Sequence, residues 1–547
     1  MIGGIAQNNP LRSAPASPAF TQDDSIGVDV VVLDKRGQRV TNLRQQDLNV
    51  IEDGVAQNIL SVSGRVLPLH ESTLVEGAAT DRNVHDELYT NLSLTQAEGG
   101  DRKLFLLIDE LNTSKTQRSL VLDKLAVFLE NTDLASHLTI YGLAGDLSLL
   151  QDYSGDPRIL LSAIQTMKAH TGESLSFITP ENGTTFPPPA SSREGPLDFL
   201  GAVKNLIGFR QEPELADRRR ATLAALKSIA RAAQGIEGRK SLIWFSGSFP
   251  CPTSSAASLD RYECSGEQSD SQVVLRTLQE ARLSVYPVNA TQVKTRSEDR
   301  HPVSGFERSP RGSVSVWANS SATFRRDLAS RDLAMEQVAD ITGGRALRGK
   351  GLAEAIQVTR DDDDRSIEIR LASSHMLDGS AHTISISSSH PGTTTLYRRI
   401  LFERQAPPMA ENDEIIHEEL VNVLTDRLQA TGIILTARKV DQSRIELLVD
   451  ARSLSFELQS DGKFKTEFDV ATAALSPSYR MLTGNSDRFS RLLTPKELQD
   501  ARRSGLRLHL GYAPHPHAQW IRLLVRDSRS GRLGTIDIPL KCCDVLR

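Results

Sequence analysis

"LFLLIDELNTS", residues 104–114, sets an unbroken apolar run from Leu104 to Ile108 directly before Asp109. A strand with no polar alternation is buried on both faces, as strands of a parallel sheet sandwiched between helices are. In open α/β sheets ligands bind outside the carboxyl ends of the strands, so Asp109 stands where a bound group would be met. Downstream, "SLVLDKLAVFLENT" (119–132) spaces Leu122, Leu125, Phe128 and Leu129 as one helical face, and "HLTIYGLAG" (137–145) reads as a second strand. That is one βαβ unit. The alternation continues through helices at "DPRILLSAIQTM" (156–167), "ELADRRRATLAALKSIARAAQ" (214–234) and "SQVVLRTLQEARL" (271–283), and strands at "KSLIWFSG" (240–247) and "SVYPVNA" (284–290). A helix in "DLAMEQVADITGGRAL" (332–347) stops at Gly343 or Gly344, and "RSIEIRLASS" (365–374) is strand-like. An α/β domain with a mostly parallel, Rossmann-like sheet flanked by helices is therefore expected over residues 101–375.

The rest of the chain reads differently. Residues 1–25 are expected to be a disordered or processed N-terminus, and residues 26–67 an N-terminal β module with turn signals at "DKRG" and "EDG". Residues 72–101 read as a linker or long loop. Residues 376–430 are connecting strands and a short amphipathic helix, and residues 431–541 show the repeated strand patterns of a C-terminal β-sandwich. The turn-rich stretches 169–196 and 291–320, the second carrying Trp317, read as surface excursions.

With 547 residues, 39% hydrophobic and 24% charged residues, the composition is that of a folded globular chain of several domains. A formal charge of −5 supplies no field for nucleic acid, and no apolar run reaches the roughly 20 residues of a spanning helix. Neither nucleic acid nor a transmembrane segment is expected. Arg218, Arg219 and Arg220, with Arg231, read as a solvated helix face, and Asp361–Asp364 as a solvated loop. The start "MIGGIAQNN" lacks a basic region and a full apolar core, so it is an incomplete signal peptide at most. Cys251 and Cys264 bracket a Ser-rich loop whose closure by a disulfide contributes roughly 3 kcal/mol and suits an oxidising compartment; two free thiols are the alternative. The expected location is extracytoplasmic, periplasmic or secreted.

The aspartate after the first strand resembles that of a von Willebrand factor A domain. Further, "VTNLRQQDLNVIEDGVAQNI" (40–59), "GRKSLIWFSGSFP" (238–250), "QVADITGGRAL" (337–347) and "IRLLVRDSRSGRLGTIDIPL" (521–540) are similar, in order, to four segments of the bacterial VWFA-related family first catalogued in acidobacteria. The resemblance implies a von Willebrand A-like fold and a protein-binding role through a metal site with Asp-x-Ser-x-Ser in the first loop, a Thr in the second and an Asp in the third. Here the first loop is Asp109-Glu110-Leu111-Asn112-Thr113, Ser154 falls where the Thr is expected, and Ser246 stands at the third-loop position. Asp109, Asn112, Thr113 and Ser154 are then the donors of a degenerate site that binds Mg²⁺ or another divalent cation weakly, because affinity for a hard cation falls with ligand charge. The structural alternative is that Asp109 caps its own loop. "FSGS" is not a nucleophile elbow and no HExxH occurs, so no catalytic residue is assigned. The expected function is an exported, non-enzymatic module that binds an unidentified protein in adhesion or assembly. The alternatives are an envelope structural component or an accessory domain of an enzyme or sensor system.

Overall fold

The computed structural model describes residues 25–38, 40, 43–63, 88–92, 104–113, 138–154, 217–247, 268–289, 334–372, 380–402, 413–441, 443–512 and 515–540. The expected helices at 119–132 and 156–167, the excursions at 169–196 and 291–320, residues 1–24 and all four cysteines lie outside them. The architecture is mixed α/β, with one mixed sheet and several antiparallel ones. The chain begins with strands β1 (Ser25–Leu33), β2 (Leu48–Glu52), β3 (Val55–Ala56), β4 (Ile59–Ser63) and the short β5 (Leu88–Thr90). Asp53 and Gly54 both hold positive φ between β2 and β3, the conformation that an Asp-Gly hairpin turn requires.

The mixed sheet comprises β6 (Leu104–Asp109), β7 (Leu138–Leu143), β8 (Leu147–Ser154), β9 (Lys240–Ser246) and β10 (Leu283–Asn289), in the order β10-β9-β6-β7-β8. The pairs β10–β9, β9–β6 and β6–β7 are parallel, and β8 returns antiparallel along the outer edge of β7. Every residue of β6 is buried, as its unbroken apolar run requires. Phe105 and Leu107 face a core shared with Trp244, Val285 and helix α1 (217–233), which contributes Leu226, Ile229 and Ala233. Leu104, Leu106 and Ile108 face the other side. There they meet Ile243, Phe245, Tyr286, Leu352 and Ile356. Helix α2 (Gln268–Glu280) packs Val274 and Leu278 into the first core, and α3 (334–342) adds Ala334 and Met335. The α3 helix ends at Gly343 (φ +81), and a Cβ on Gly344 would lie 1.9 Å from the Val285 carbonyl oxygen, so the glycine pair lets this turn lie against β10.

Helix α4 (Leu352–Arg365) corrects one expectation: Asp361–Asp364 are its last turn and not a solvated loop. Asp363 accepts from Arg239 (2.9 Å) and Ser241 (2.6 Å), and Asp362 pairs with Arg345 at 2.8 Å. Acidic residues at a helix C-terminus oppose the dipole by about 0.3–1 kcal/mol, whereas depriving a buried cation of its partner costs about 3–5 kcal/mol, so the ion pairs decide. Arg231 also leaves the solvated face assigned to it. It is buried and pairs with Glu419 at 2.6 Å, while Arg220 stays exposed beside Asp217.

Strands β11 (Ser366–Ala372), β12 (Ala381–Ser388), β13 (Thr394–Leu396) and β14 (Ile400–Phe402) follow. They do not close the α/β sheet or serve as a connector. They complete the N-terminal module as two antiparallel sheets, β13-β1-β11-β4 and β14-β12-β2-β3, around Val28, Val30, Val50, Ile369, Ile384 and Ile386. The alternation in these strands reports which face is buried, while β11, β12 and β13 pair with N-terminal strands some three hundred residues away, beyond what a local pattern records. Arg282, before β10, ties this module to the α/β part through Asp29 and Glu368.

After helix α5 (Asp413–Thr425) the chain forms β15 (Leu435–Lys439), β16 (Arg444–Val449), β17 (Glu457–Leu458), β18 (Phe464–Leu475) and β19 (Met481–Leu493). Helix α6 (Pro495–Ser504), β20 (Leu506–Gly511), β21 (Trp520–Asp527) and β22 (Leu533–Pro539) complete it. Two antiparallel sheets, β20-β16-β15-β5 and β17-β18-β21-β22 with β19 along β18, enclose one core that includes Leu435, Leu447, Phe468, Leu523 and Ile536. The stretch read as a linker supplies β5, and Asn91 beside it is buried. Its amide donates to the Ala430 and Ile433 carbonyls and its oxygen accepts from Leu435 N. On the outer face α5 sets Leu420, Val423 and Leu424 against Ala471, Leu475 and Leu524.

Candidate functional site

Strand order reverses at β6, which has its sequence neighbour β7 on one side and the later β9 on the other. The carboxyl ends of β6 and β9 therefore mark the topological switch point, where crevices form in open α/β sheets. Asp109 ends β6 and Ser246 ends β9, side by side because Ile108 pairs with Phe245.

Both side chains are fully buried, and so is Trp244. The Asp109 carboxylate is surrounded by donors. Its Oδ1 accepts from the Asn112 backbone N–H (3.0 Å) and from Asn112 Nδ2 (3.2 Å). Its Oδ2 accepts from the same Nδ2 (2.9 Å), from the Trp244 indole (3.2 Å) and from the Ser246 hydroxyl (2.7 Å). Burial raises the Asp109 pKa above its ordinary value, and the bonds from Asn112, Ser246 and Trp244 act against that rise.

The loop beyond is fixed equally closely. Leu111, at the position where the metal motif has a hydroxyl, enters the hydrophobic core with Leu143 and Leu147, and its N–H bonds the Leu143 carbonyl at 2.8 Å. Thr113 Oγ1 accepts from Gly247 N at 2.8 Å. A Cβ on Gly247 would stand 2.7 Å from the Asn112 carbonyl oxygen, so the loops after β6 and β9 touch through backbone.

Asp109, Asn112, Thr113 and Ser246 thus come together. Ser154 does not. It lies at the end of the antiparallel β8, paired with Leu138 at the start of β7, whereas Asp109 pairs with Leu143 at the end of that strand. Five residues at about 3.3 Å each put the two backbones on the order of 16 Å apart along the strands, at opposite ends of the sheet. The hydroxyl that does enter is Thr222 of α1. It is fully buried, accepts from Asn112 Nδ2 at 2.8 Å and donates to the Arg218 carbonyl at 2.8 Å. Thr222 interrupts an inward face otherwise made of Ala225, Leu226, Ile229 and Ala233, and a lone polar residue on an apolar helical stripe was the available signal for it.

A hard divalent cation needs about six oxygen ligands, with carboxylates supplying charge. The residues present do not fit that demand: both oxygens of the Asp109 carboxylate already face N–H and O–H groups, and Leu111 faces the core. Among the described residues no group of three or more His, Cys, Asp or Glu side chains is placed to hold a metal. No protein-family model matches the chain, and no curated protein matches it in sequence.

Proposed function

We propose that this chain is an exported, non-enzymatic protein-binding module of VWFA-related type, whose α/β part offers the carboxyl edge of a von Willebrand A-like, mostly parallel sheet to a partner protein. The strand order, the antiparallel edge strand β8 and an aspartate at the switch point support the fold reading. The observation that carries the functional reading is the closed hydrogen-bond set on Asp109. The carboxylate at the ligand-binding end of the sheet is used to hold two loops in shape, and Ser246 gives its proton to that carboxylate and not to a general base. Such an edge suits rigid surface recognition better than turnover. Export rests on the spacing of Cys251 and Cys264 and on the family resemblance.

The test is capture from an extracytoplasmic fraction on the immobilised protein, with and without chelator, using wild type and a variant whose stretches 169–196 and 291–320 are replaced by short linkers. One dominant protein retained in chelator by wild type and lost by the variant is expected. Capture that chelator abolishes, or turnover of small substrates by the purified chain, overturns the reading.

A further inference from the structure

Three oxygens converge on one nitrogen at the switch point: Asp109 Oδ1, Asp109 Oδ2 and Thr222 Oγ1 lie 3.2, 2.9 and 2.8 Å from Asn112 Nδ2. The orientation of this amide follows from the network. Thr222 has a single hydroxyl proton, and it goes to the Arg218 carbonyl, so its oxygen can only accept from Asn112. Turning the amide over would set its oxygen against a carboxylate and an acceptor hydroxyl, leaving three acceptors without a proton between them.

We propose that the Asn112 carboxamide nitrogen acts as a built-in surrogate for a cation, locking the loop after β6 in a metal-independent form, and that removing this amide opens a divalent-cation pocket between Asp109 and Thr222. The amide supplies two N–H groups with partial positive charge at the centre of an oxygen cluster that would otherwise hold a buried carboxylate facing a lone pair. A Mg²⁺ ion would draw such oxygens in to about 2.0–2.1 Å and bring water to its remaining positions, which the larger amide prevents. The surrounding bonds from Trp244 and Ser246 keep Asp109 aimed at this centre whether nitrogen or metal fills it. This deepens the protein-binding reading by making the edge insensitive to cations, and it is tested without any partner, so its failure and that of the partner reading are separate.

The experiment measures Mn²⁺ by the loss of its free-ion electron paramagnetic resonance signal, and thermal unfolding in Mg²⁺ against chelator at matched ionic strength. Wild type should leave the Mn²⁺ signal intact and unfold at the same temperature in both solutions. Asn112→Asp, which places a second carboxyl group at the pocket, should bind Mn²⁺ at least roughly tenfold more tightly than wild type and gain thermal stability only with the ion. Asn112→Ser, which removes the amide and keeps an oxygen, provides the second variant should Asn112→Asp not fold. Mn²⁺ binding by wild type that Asp109→Asn abolishes overturns the proposal, because the amide would then yield its place to metal. Folded Asn112→Asp or Asn112→Ser with no gain of Mn²⁺ binding overturns it as well.

Discussion

Replacing Asp109 by Asn keeps size and shape and removes only charge and one acceptor, so it isolates the carboxylate's work. If the new NH₂ takes the place of Oδ1, it faces the Asn112 backbone N–H; if it takes the place of Oδ2, it faces the Trp244 indole N–H. Either way one N–H donor loses its acceptor, at about 1–3 kcal/mol, and the remaining bonds fall from charged to neutral strength, roughly 1 kcal/mol each. Against this, the buried charge disappears, and burial is the leading influence on the Asp109 pKa. The balance is a loss of about 2 kcal/mol at neutral pH, read as a lower urea midpoint with unchanged slope. The pH dependence has a definite sign. A folded-state pKa raised above 3.8 means that wild type loses stability as pH climbs from the unfolded value through the folded one, while the Asn variant has no such titration. The gap between the two proteins should therefore be widest in acid and narrow as pH rises across that window. An Asn variant as stable as wild type at every pH would refute the argument that the carboxylate pins these loops.

In the C-terminal unit, Arg522 is fully buried, chelates Asp537 at 2.6 and 2.7 Å, and donates to the Val423, Leu424 and Asp426 carbonyls at the end of α5. Arg522→Met should cost about 3–5 kcal/mol in denaturant unfolding, and adding Asp537→Leu should recover much of it, since an apolar pair removes the orphaned charge. These contacts of α5, together with those of β5 and Asn91 to the 430–435 segment, predict that a fragment of residues 431–541, lacking α5 and β5, unfolds without a cooperative transition, whereas supplying residues 88–92 and 413–430 restores one by calorimetry. Asp29 feels burial, which raises its pKa, and Arg282, which outweighs it, so the net shift is downward. Its stabilising contribution is present above the unfolded carboxylate value and lost as pH falls through the folded one, and Asp29→Asn should flatten that acid limb. Gly344→Ala should abolish soluble expression or cost several kcal/mol, because its Cβ would lie 1.9 Å from the Val285 backbone oxygen in the buried strand β10.

The central sheet was legible because burial on both faces writes itself into consecutive residues: β6, β9 and β10 are buried throughout, and the sequence shows them as apolar runs. Outer strands carry less. β12 alternates buried and exposed residues as expected, yet nothing in "HTISISSS" says that, besides the nearby β14, it pairs with the distant Leu48–Glu52. β5 is three residues long, and the signal that anchors it is one buried Asn91 bonded to residues more than three hundred positions on. Polar residues inside a linker-like stretch are read as solvated by default, so a buried amide clamp hides there.

At the site, Asp109 was legible from position alone, and Leu111 carried a warning whose physical meaning the structure supplies. An apolar side chain in the middle of a five-residue loop must be buried somewhere, and the nearest apolar space is the core beneath β7, so the loop turns inward at that residue. Once Leu111 points down, Asn112 is carried across the mouth of the site, its backbone N–H reaches Asp109, and its side chain falls between Asp109 and Thr222. One Leu therefore does more than delete a ligand: it sets the loop conformation that delivers the amide. The choice of Ser154 as second-loop donor failed for a different reason. Sequence order places it next after β7, but an antiparallel return carries the end of β8 back to the opposite end of the sheet, and direction of travel is not written in an alternating strand. The donor that replaces it comes from a helix 68 residues further on in the chain (222 against 154), held over the switch point by the apolar face on which Thr222 is the exception.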